Sequence, residues 1–430
     1  MKNKIIILIL FAALILRCIN LNQSLWLDEA INIFFATKLN LTDLIFSYSI
    51  GDFHPPLFHL IIYFVIKVFG NSEVFVRAPS VLFGVLTVFV TYRIASKLYD
   101  EKTALIAATL LATSPLAIYY SQEARMYALA GLFASLSVYF FISILKSDKL
   151  ANWIGFIIFT ILMMYSDYIP YLLIPCYVIY IILFKKYISK STKSSFIPAF
   201  ILVFALIVPV LYLFTKQFTV GTSAALAAPT WANVVGPATF HNLLITFVKF
   251  TIGRISVDNN YLYALLFLPI GVFVITLSVI SLFRASPTRT FLWFWFLGPI
   301  ILGFIVAFVV PVFAYFRFIF VLPAFYIILA SGINTINHKF LTRVLLLIFI
   351  IINLMASSVY FLDPKFQRED WKNATKYAHS NSKQNNLVLF ESNYTMAPFD
   401  YYNNGQLDAK GALKKWNPQT NADLENIEEL

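Results

Sequence analysis

Long apolar runs separated by short polar stretches dominate the pattern of this 430-residue chain. Most runs approach the roughly 20 residues that one helical crossing of a bilayer requires, and they lack the ten-residue alternating strands of a membrane barrel. The pattern predicts an all-α polytopic membrane protein, a bundle of about 11 transmembrane helices. The predicted spans are 5–21, 76–97, 103–119, 126–146, 153–165, 168–185, 196–214, 261–283, 290–312, 318–335 and 341–360.

A further apolar run, 57–69, decides the topology of the chain. It lies between a proline pair and Gly70, and runs this short lie in the membrane interface more often than they cross it. Without this crossing, every basic cluster between spans falls on the cytoplasmic side, as the positive-inside rule requires. With it, all of these clusters become external. We therefore predict a cytoplasmic N-terminus and an external interfacial helix at 57–69.

This topology divides the chain into a transmembrane module, 1–361, and a short external C-terminal region, 362–430. The module has two long external loops, 22–75 and 215–260, and long loops in a compact protein are usually functional or disordered. The C-terminal region contains one helix-like stretch, REDWKNATKYAHS, and one strand-like run, NNLVLF. It is too short to build a robust core of its own.

Composition agrees with a membrane location. The chain is 60% hydrophobic and only 12% charged, against about 25% charged residues in soluble domains. Its net charge of +11 is typical of lysines and arginines that adjoin anionic membrane lipids, so we expect no nucleic-acid partner. Cys18 and Cys176 lie in apolar runs, where a thiol acts as a small hydrophobe, and they predict neither a disulfide nor a metal cluster.

Two adjacent acids, Asp28 and Glu29, follow the first span in the motif WLDEA and fall on the external side. In one interpretation, Asp28 caps the short helix that follows, where its carboxylate accepts backbone N–H groups. In the other, a carboxylate partly shielded from water has a raised pKa and acts as a general base toward a hydroxyl or amine. The two roles do not exclude each other.

Three arginines also fall on the external side, Arg77, Arg125 and Arg317. Each could reach the lipid headgroups by snorkelling. External arginines run against the positive-inside bias, however, and these three lie near carboxylates in the predicted topology. Because the guanidinium fork suits phosphate, we expect them to bind an anion.

Three further polar residues complete the candidate site. His54 precedes a proline pair that stiffens the backbone at the start of the interfacial helix. It could be a helix-start residue bonded to backbone, and its sequence spacing supplies no partners for a metal. Glu123 and Tyr127 flank Arg125 in SQEARMY. We expect Glu123 to pair with an arginine and to moderate the positive charge of the site.

With these residues in hand, the chain resembles the protein O-mannosyltransferase-like family of the GT-C superfamily, which also includes the lipid A aminoarabinose transferases. The resemblance covers most of 20–335 in order, and the start of the C-terminal region. The segments that carry it are the DE pair, HPPLF, VRAPSVLFGVLTVFVTYRIASKLY, TSPLAIYYSQEARMYAL, YFRFIFVLPAF and REDWKNATKYA.

The resemblance implies a GT-C-type bundle that uses a polyprenyl-phosphate-linked sugar donor. The family's catalytic aspartate would be Asp28, with Glu29 as the alternative, and its phosphate-handling arginines would be Arg77, Arg125 and Arg317. His54 matches the histidine of the O-mannosyltransferase loop. In some relatives a metal helps to bind phosphate, so a divalent metal stays open as a cofactor, although the sequence shows no evident ligand set.

The expected function is therefore inverting transfer of a sugar to a lipid, glycan or protein acceptor at the external face of a prokaryotic plasma membrane. Such transfer needs one base opposite the leaving group, unlike the paired carboxylates of hydrolases. A transporter or flippase for lipid-linked sugars is the main alternative, and it predicts polar or broken helices at the bilayer midplane. A non-catalytic membrane scaffold is the other, and it would not need Asp28, Arg77 and Arg125 to converge.

Overall fold

A computed structural model describes residues 2–227, 236–382, 386–392 and 395–413. Residues 228–235 of the predicted loop 215–260 fall outside these ranges. Residues 383–385, 393–394 and 414–430 of the predicted C-terminal region also fall outside them. The α-helices of seven residues or more are α1 (Lys2–Cys18), α2 (Leu27–Lys38), α3 (Leu57–Phe69), α4 (Glu73–Leu98), α5 (Glu101–Thr113), α6 (Pro115–Ser121), α7 (Tyr127–Lys146), α8 (Leu150–Ser166), α9 (Leu173–Leu183), α10 (Lys190–Leu206), α11 (Val208–Ala227), α12 (Phe240–Ile252), α13 (Asn260–Ser281), α14 (Pro287–Val306), α15 (Leu322–Thr335), α16 (Lys339–Leu362), α17 (Trp371–Asn381) and α18 (Ala397–Asn403).

The predicted helical membrane protein is confirmed, but the predicted number of spans is not. Among the described residues, seven helices are long and apolar enough to cross a membrane, and the bent pair α5–α6 gives an eighth. The remaining predicted spans, 5–21, 153–165 and 168–185, correspond to helices of 17 residues or fewer. The interfacial run forms α3 with the predicted bounds 57–69.

The outer helices carry large apolar side chains that remain exposed, as lipid-facing surfaces require. They lie mainly on α10, α11, α13 and α16, and examples are Ile201, Phe204, Leu265, Leu268 and Met355. Near the centre of the bundle, α5 and α15 are buried over most of their length. The helices therefore pack around an apolar interior and present an apolar exterior, which is the arrangement of a membrane bundle.

Ser114 and Pro115 break the predicted span 103–119 into α5 and α6, which are bent by 59°. Pro115 lacks the N–H that would continue the hydrogen-bond ladder, and the Ser114 hydroxyl caps the new helix. The buried Arg17 of α1 donates to the Ala112 carbonyl at the end of α5, at 3.1 Å. Arg17 thus satisfies carbonyl groups that a buried helix end would otherwise leave without partners.

The C-terminal region folds onto the first long loop, 22–75. Its strands, β1 (Leu387–Ser392) and β2 (Asp408–Leu413), pair in parallel and are connected through α18. The Leu25 N–H donates to the Tyr402 hydroxyl at 2.9 Å, and the Lys372 N–H donates to the Ser24 hydroxyl at 3.2 Å. The predicted helix and strand of this region are both present, and these hydrogen bonds join the region to the first loop.

Candidate active site

The first turn of α2 carries both predicted acids. Asp28 is the second residue of this helix, and Trp26 precedes it at the N-cap position. The Trp26 N–H donates to the Glu29 carboxylate at 3.4 Å. The capping role considered for Asp28 therefore belongs to Glu29. The side chain of Asp28 is 37% exposed, so its carboxylate remains accessible.

Glu29 and Arg77 form a fully buried ion pair between the first loop and α4. Arg77 donates from Nε to Oε1 of Glu29 at 2.9 Å and from Nη2 to Oε2 at 2.6 Å. The other guanidinium N–H groups donate to the backbone carbonyls of Leu21, Gln23 and Ser24. A guanidinium has five N–H donors, so Arg77 has none left for a phosphate. This geometry differs from its expected role and makes Arg77 a structural residue.

The carboxylate of Glu29 is equally occupied. It also accepts the Ala124 N–H at 2.7 Å, and its residue is fully buried. Burial by itself raises the pKa of Glu29, but the charges of Arg77 and Arg368 and the hydrogen bonds outweigh burial and lower the pKa. An ionised carboxylate without access to the surface is poorly placed to serve as the alternative base that the sequence suggested.

Arg125 lies between two carboxylates of the first long loop, Asp28 and Asp52. Its Nη1 donates to Asp52 at 2.9 Å, and its Nη2 lies 3.5 Å from Asp28 and 3.4 Å from Nδ1 of His54. The residue is only 4% exposed, and its Nε has no partner among the described residues. One buried cation therefore brings Asp28 together with Asp52 and His54.

Asp52 was missed by the sequence analysis. Its Oδ2 lies 2.9 Å from Nδ1 of His54 and 3.2 Å from Nε2 of His59. Phe53 has a left-handed φ of +61°, a conformation that is costly for a bulky residue and typical of functional turns. The turn folds His54 back onto the Asp52 carbonyl at 2.7 Å. An acid two residues before a proline-stiffened histidine was the signal that could have identified Asp52.

His59 and Asn32 form a second layer behind this cluster. His59 is 2% exposed, and its Nδ1 lies 2.8 Å from the side-chain oxygen of Asn32. The Asn32 amide in turn donates to the Ala124 carbonyl at 3.5 Å. Both residues stand in stretches that look apolar in the sequence, and neither was predicted. They connect α2 and α3 to the segment that carries Arg125.

The two carboxylates beside Arg125 differ in their affinity for a proton. Burial raises the pKa of Asp28, and the nearby charges of Asp52 and Glu29 add to this, while Arg125 and His54 oppose it without cancelling it. Burial acts in the same direction on Asp52, but Arg125, His54 and His59 outweigh it and hold the pKa of Asp52 well below its usual range. Such a separation of neighbouring pKa values is typical of acid–base sites.

The other predicted residues lie around this centre. Glu123 is buried and pairs with an arginine as expected, but the partner is Arg368, with Oε2 of Glu123 3.4 Å from Nη1. The ring of Tyr127 packs edge to face on Phe316, at 5.5 Å between centroids. Arg317 lies beside Phe316 in a 3₁₀ segment, and its Nε has no partner among the described residues. Tyr127 and Arg317 therefore both contact the ring of Phe316.

Arg254 and Arg368 are two further arginines of the site that the sequence analysis did not select. The guanidinium carbon of each lies 4.5 Å from the centre of the Tyr119 ring, within cation–π distance. Arg254 also donates to the Tyr119 hydroxyl. It lines an open pocket with Lys365 and Gln367. Arg368 stands in REDW, a segment that supported the family resemblance but was not considered as a site.

The described residues contain no group of three or more His, Cys, Asp or Glu side chains that could hold a metal ion. The distances from Asp52 to His54 and His59, 2.9 and 3.2 Å, are those of hydrogen-bonded pairs. The divalent metal considered from the family resemblance has no candidate ligand set in this part of the chain.

Comparison with known families and proteins gives one family match. Residues 53–213 match the model of the dolichyl-phosphate-mannose-protein mannosyltransferase family. This segment begins at the turn that holds His54 and includes Arg77 and Arg125. A search of curated proteins finds no match.

Solved structures share the fold over nearly the whole chain. ArnT from Cupriavidus metallidurans in the apo state matches with a TM-score of 0.61 at 11% identity, over 96% of this chain and 86% of ArnT. The same protein bound to undecaprenyl phosphate matches with a TM-score of 0.58 at 12% identity, over 94% and 85%. The archaeal oligosaccharyltransferase AglB from Archaeoglobus fulgidus, in complex with an inhibitory peptide and a dolichol-phosphate, matches with a TM-score of 0.56 at 12% identity, over 93% and 63%. The fold predicted from the sequence is confirmed over nearly the whole chain, and the family resemblance is confirmed for residues 53–213.

Proposed function

Because the chain has the fold of the GT-C glycosyltransferases, we propose that it transfers a sugar from a polyprenyl-phosphate-linked donor to a lipid, glycan or protein acceptor. The donor class is supported by ArnT, bound to undecaprenyl phosphate, and by AglB, bound to a dolichol-phosphate. The observation that carries the proposal is the position of Arg125, which holds the accessible carboxylate of Asp28 beside the buried carboxylate of Asp52. The predicted topology puts this centre on the external face of a prokaryotic plasma membrane.

Asp28 is the general base of the proposed reaction. Its carboxylate is partly exposed, it is not occupied as a helix cap, and burial of its other side raises its pKa, which favours uptake of a proton. An oxygen or nitrogen of the acceptor attacks the anomeric carbon opposite the phosphate and gives its proton to Asp28. The bond between the anomeric carbon and the phosphate oxygen breaks, and its electron pair leaves with the lipid phosphate. A single displacement of this kind inverts the anomeric carbon.

Cations without a carboxylate partner bind the leaving phosphate. Among the described residues, no carboxylate lies within ion-pair distance of Arg317 or Arg254. Their charges are therefore available to an anion, unlike that of Arg77. Arg125 contributes a further positive charge beside Asp28. His54 orients Asp52 and Arg125.

A transporter or flippase of lipid-linked sugars is the competing function. It would be favoured by polar groups at a broken helix, and α5–α6 is such a break. The guanidinium of Arg17 at this break is engaged by Ala13, Ala112 and Ser121, however, so it supports the bent helix and is not free for a substrate.

The test is an assay of the purified protein against a panel of polyprenyl-phosphate sugars, with consumption of each donor as the readout. Asp28→Asn should abolish transfer and leave donor binding intact. Asp43→Asn is the matched control, because Asp43 is an exposed acid of the same loop and its carboxylate accepts a hydrogen bond from the Asn40 amide of its own turn. Full transfer by Asp28→Asn would overturn the assignment of the base, and donor movement without any transfer would favour the transporter.

A further inference from the structure

Arg368 enters the transmembrane module from the C-terminal region. It stands between α16 and α17, yet its guanidinium is only 1% exposed. Nη2 donates to the carbonyls of Gln122 at 2.9 Å and Tyr119 at 3.3 Å, and Nη1 lies 3.4 Å from Oε2 of Glu123. A long arginine side chain that loses its hydration and rotamer freedom in this way must be held by these interactions.

The guanidinium of Arg368 joins two buried carboxylates. Its Nε lies 4.0 Å from Oε2 of Glu29, and Arg77 occupies the other side of that carboxylate. Glu123 has no other cation within ion-pair distance among the described residues, and its Oε1 has no hydrogen-bond partner there. Removal of Arg368 would leave Glu123 as a buried charge without compensation, which is strongly unfavourable.

This network adjoins the reacting centre on two sides. Glu29 is the chain neighbour of Asp28, and it accepts the N–H of Ala124, the chain neighbour of Arg125. Arg368 grips the same segment at Gln122 and Glu123. The separation of Asp28 and Arg125 therefore depends on how firmly residues 122–125 are held against α2.

We propose that Arg368 is a positioning residue that lets the C-terminal region set the distance between Asp28 and Arg125. The proposal rests on the proposed function, in which Asp28 is the base. When the C-terminal region separates from the first loop, residues 122–125 are free to move away from α2, and the protein loses its transfer activity. A misplacement of about 1 Å at a reacting centre can reduce the rate roughly 100-fold.

The experiment compares Arg368→Gln, Arg368→Lys and the control Lys376→Gln in the purified full-length protein. Lys376 is an exposed cation on α17, so its substitution removes the same charge from the same region. We expect Arg368→Gln to lower kcat roughly 10- to 100-fold with a smaller change in the KM for the donor. Arg368→Lys should recover part of kcat, and Lys376→Gln should retain the unmodified protein's kcat.

The pH profile separates positioning from a purely structural role. The charged groups that face Asp28 are Arg125, Asp52, His54 and Glu29. If Arg125 retreats, Asp28 loses its stabilising cation, and the acid limb of kcat/KM should move to higher pH in Arg368→Gln. A merely structural role would reduce the amount of folded protein and leave the kcat and the acid limb of the folded fraction unchanged. That result would overturn the proposal.

Two further variants keep the test decisive. If Arg368→Gln does not fold, Glu123→Gln relieves the buried charge while Arg368 keeps its bonds to the Tyr119 and Gln122 carbonyls. It should show the same direction of change in kcat and acid limb, and an unchanged profile would overturn the proposal. Asp28→Asn is measured in parallel. Full activity of that variant would reject the proposed base, whereas an inactive Asp28→Asn with a normal Arg368→Gln would reject positioning alone.

Discussion

Asp28 and Glu29 show how two adjacent acids of the same motif acquire opposite roles. Glu29 is fully buried and accepts hydrogen bonds from Arg77, Ala124 and Trp26. Asp28 lies on the adjacent side of the helix and is partly exposed, and Arg125 is its one ion-pair partner among the described residues, at 3.5 Å. Successive helix residues lie about 100° apart, so one step along the chain separates a structural carboxylate from an accessible one.

The ion pair of Glu29 gives the first prediction at this scale. Glu29→Gln leaves the guanidinium of Arg77 buried without a counter-charge, and breaking such a pair costs about 3–5 kcal/mol. We expect a marked fall in the midpoint of thermal unfolding, measured on the purified protein in detergent. Asp28→Asn, in contrast, should abolish transfer without lowering the midpoint. Equal midpoints for the two variants would contradict the structural role of Glu29.

The raised pKa of Asp28 gives a prediction for pH dependence. The base acts only when ionised, so kcat/KM should fall as the pH drops through the raised pKa, at a higher pH than for an ordinary aspartate.

The raised pKa of Asp28 also affects the stability of the folded protein, which should decrease as the pH rises. A carboxyl group whose folded pKa exceeds its unfolded pKa makes the folded state less stable as the pH rises between the two values. Asp28→Asn should therefore raise the unfolding midpoint at neutral pH, and the gain should vanish in acid.

At residue scale, the sequence identifies several residues of the site but does not identify their partners. The motifs WLDEA, HPP and SQEARMY identify Asp28, His54 and Arg125 because charged groups near membrane spans are costly and stand out. They cannot assign partners, since the pairing of Arg77 with Glu29 rather than with a phosphate depends on contacts between distant segments. Asp52 escaped notice because a short acid in a polar turn resembles an ordinary turn residue.

At the scale of elements, the site depends on the turn between the short helix Ser49–Asp52 and α3. Gln217 of α11 holds this turn from outside: its amide donates to the carbonyls of Ser49 at 2.7 Å and His54 at 3.0 Å. The Tyr168 hydroxyl donates to the side-chain oxygen of Gln217 at 2.6 Å. A helix of the second half of the bundle thereby fixes the geometry of the first loop.

We predict that Gln217→Ala lowers kcat by roughly tenfold, because it removes the side-chain donor from the carbonyls of Ser49 and His54 and loosens the support of Asp52 and His54. Donor binding should change less, since Arg254 and Arg317 lie on other elements. Thr215→Ala is the control, because Thr215 is exposed on the same helix and bonds only within it. The measurement is steady-state kinetics with the identified donor. Equal kcat values for the two variants would refute the role of Gln217.

The sequence predicts the presence of helices better than it predicts a break within one of them. The interfacial helix 57–69 was predicted with its observed bounds because a proline pair begins it and Gly70, with φ of +85°, ends it. The break at Ser114 and Pro115 was not recognised within 103–119, since the apolar pattern continues across it. Hydropathy averages over a window and does not register a change of helix direction.

The whole molecule joins a membrane bundle to a C-terminal region that packs on its first long loop. The proposed base Asp28 and the proposed positioning residue Arg368 lie where these two parts meet. The last prediction concerns the orientation of this assembly. The basic loops at 185–193 and 339–343 belong to the opposite end of the predicted topology, and their charges favour the cytoplasmic side.

Introduced cysteines can test that orientation. In a background with Cys18→Ser and Cys176→Ser, a membrane-impermeant thiol reagent added to intact cells should label Lys376→Cys in the C-terminal region but not Lys186→Cys in the basic loop. Both lysines are exposed, so access to the reagent differs only through the membrane. Cys18 must be replaced because its side chain is also exposed. After permeabilisation both sites should react. Labelling of Lys186→Cys alone in intact cells would contradict the predicted orientation, because the basic loop would then be external, and the C-terminal region and the site that it packs against would be cytoplasmic.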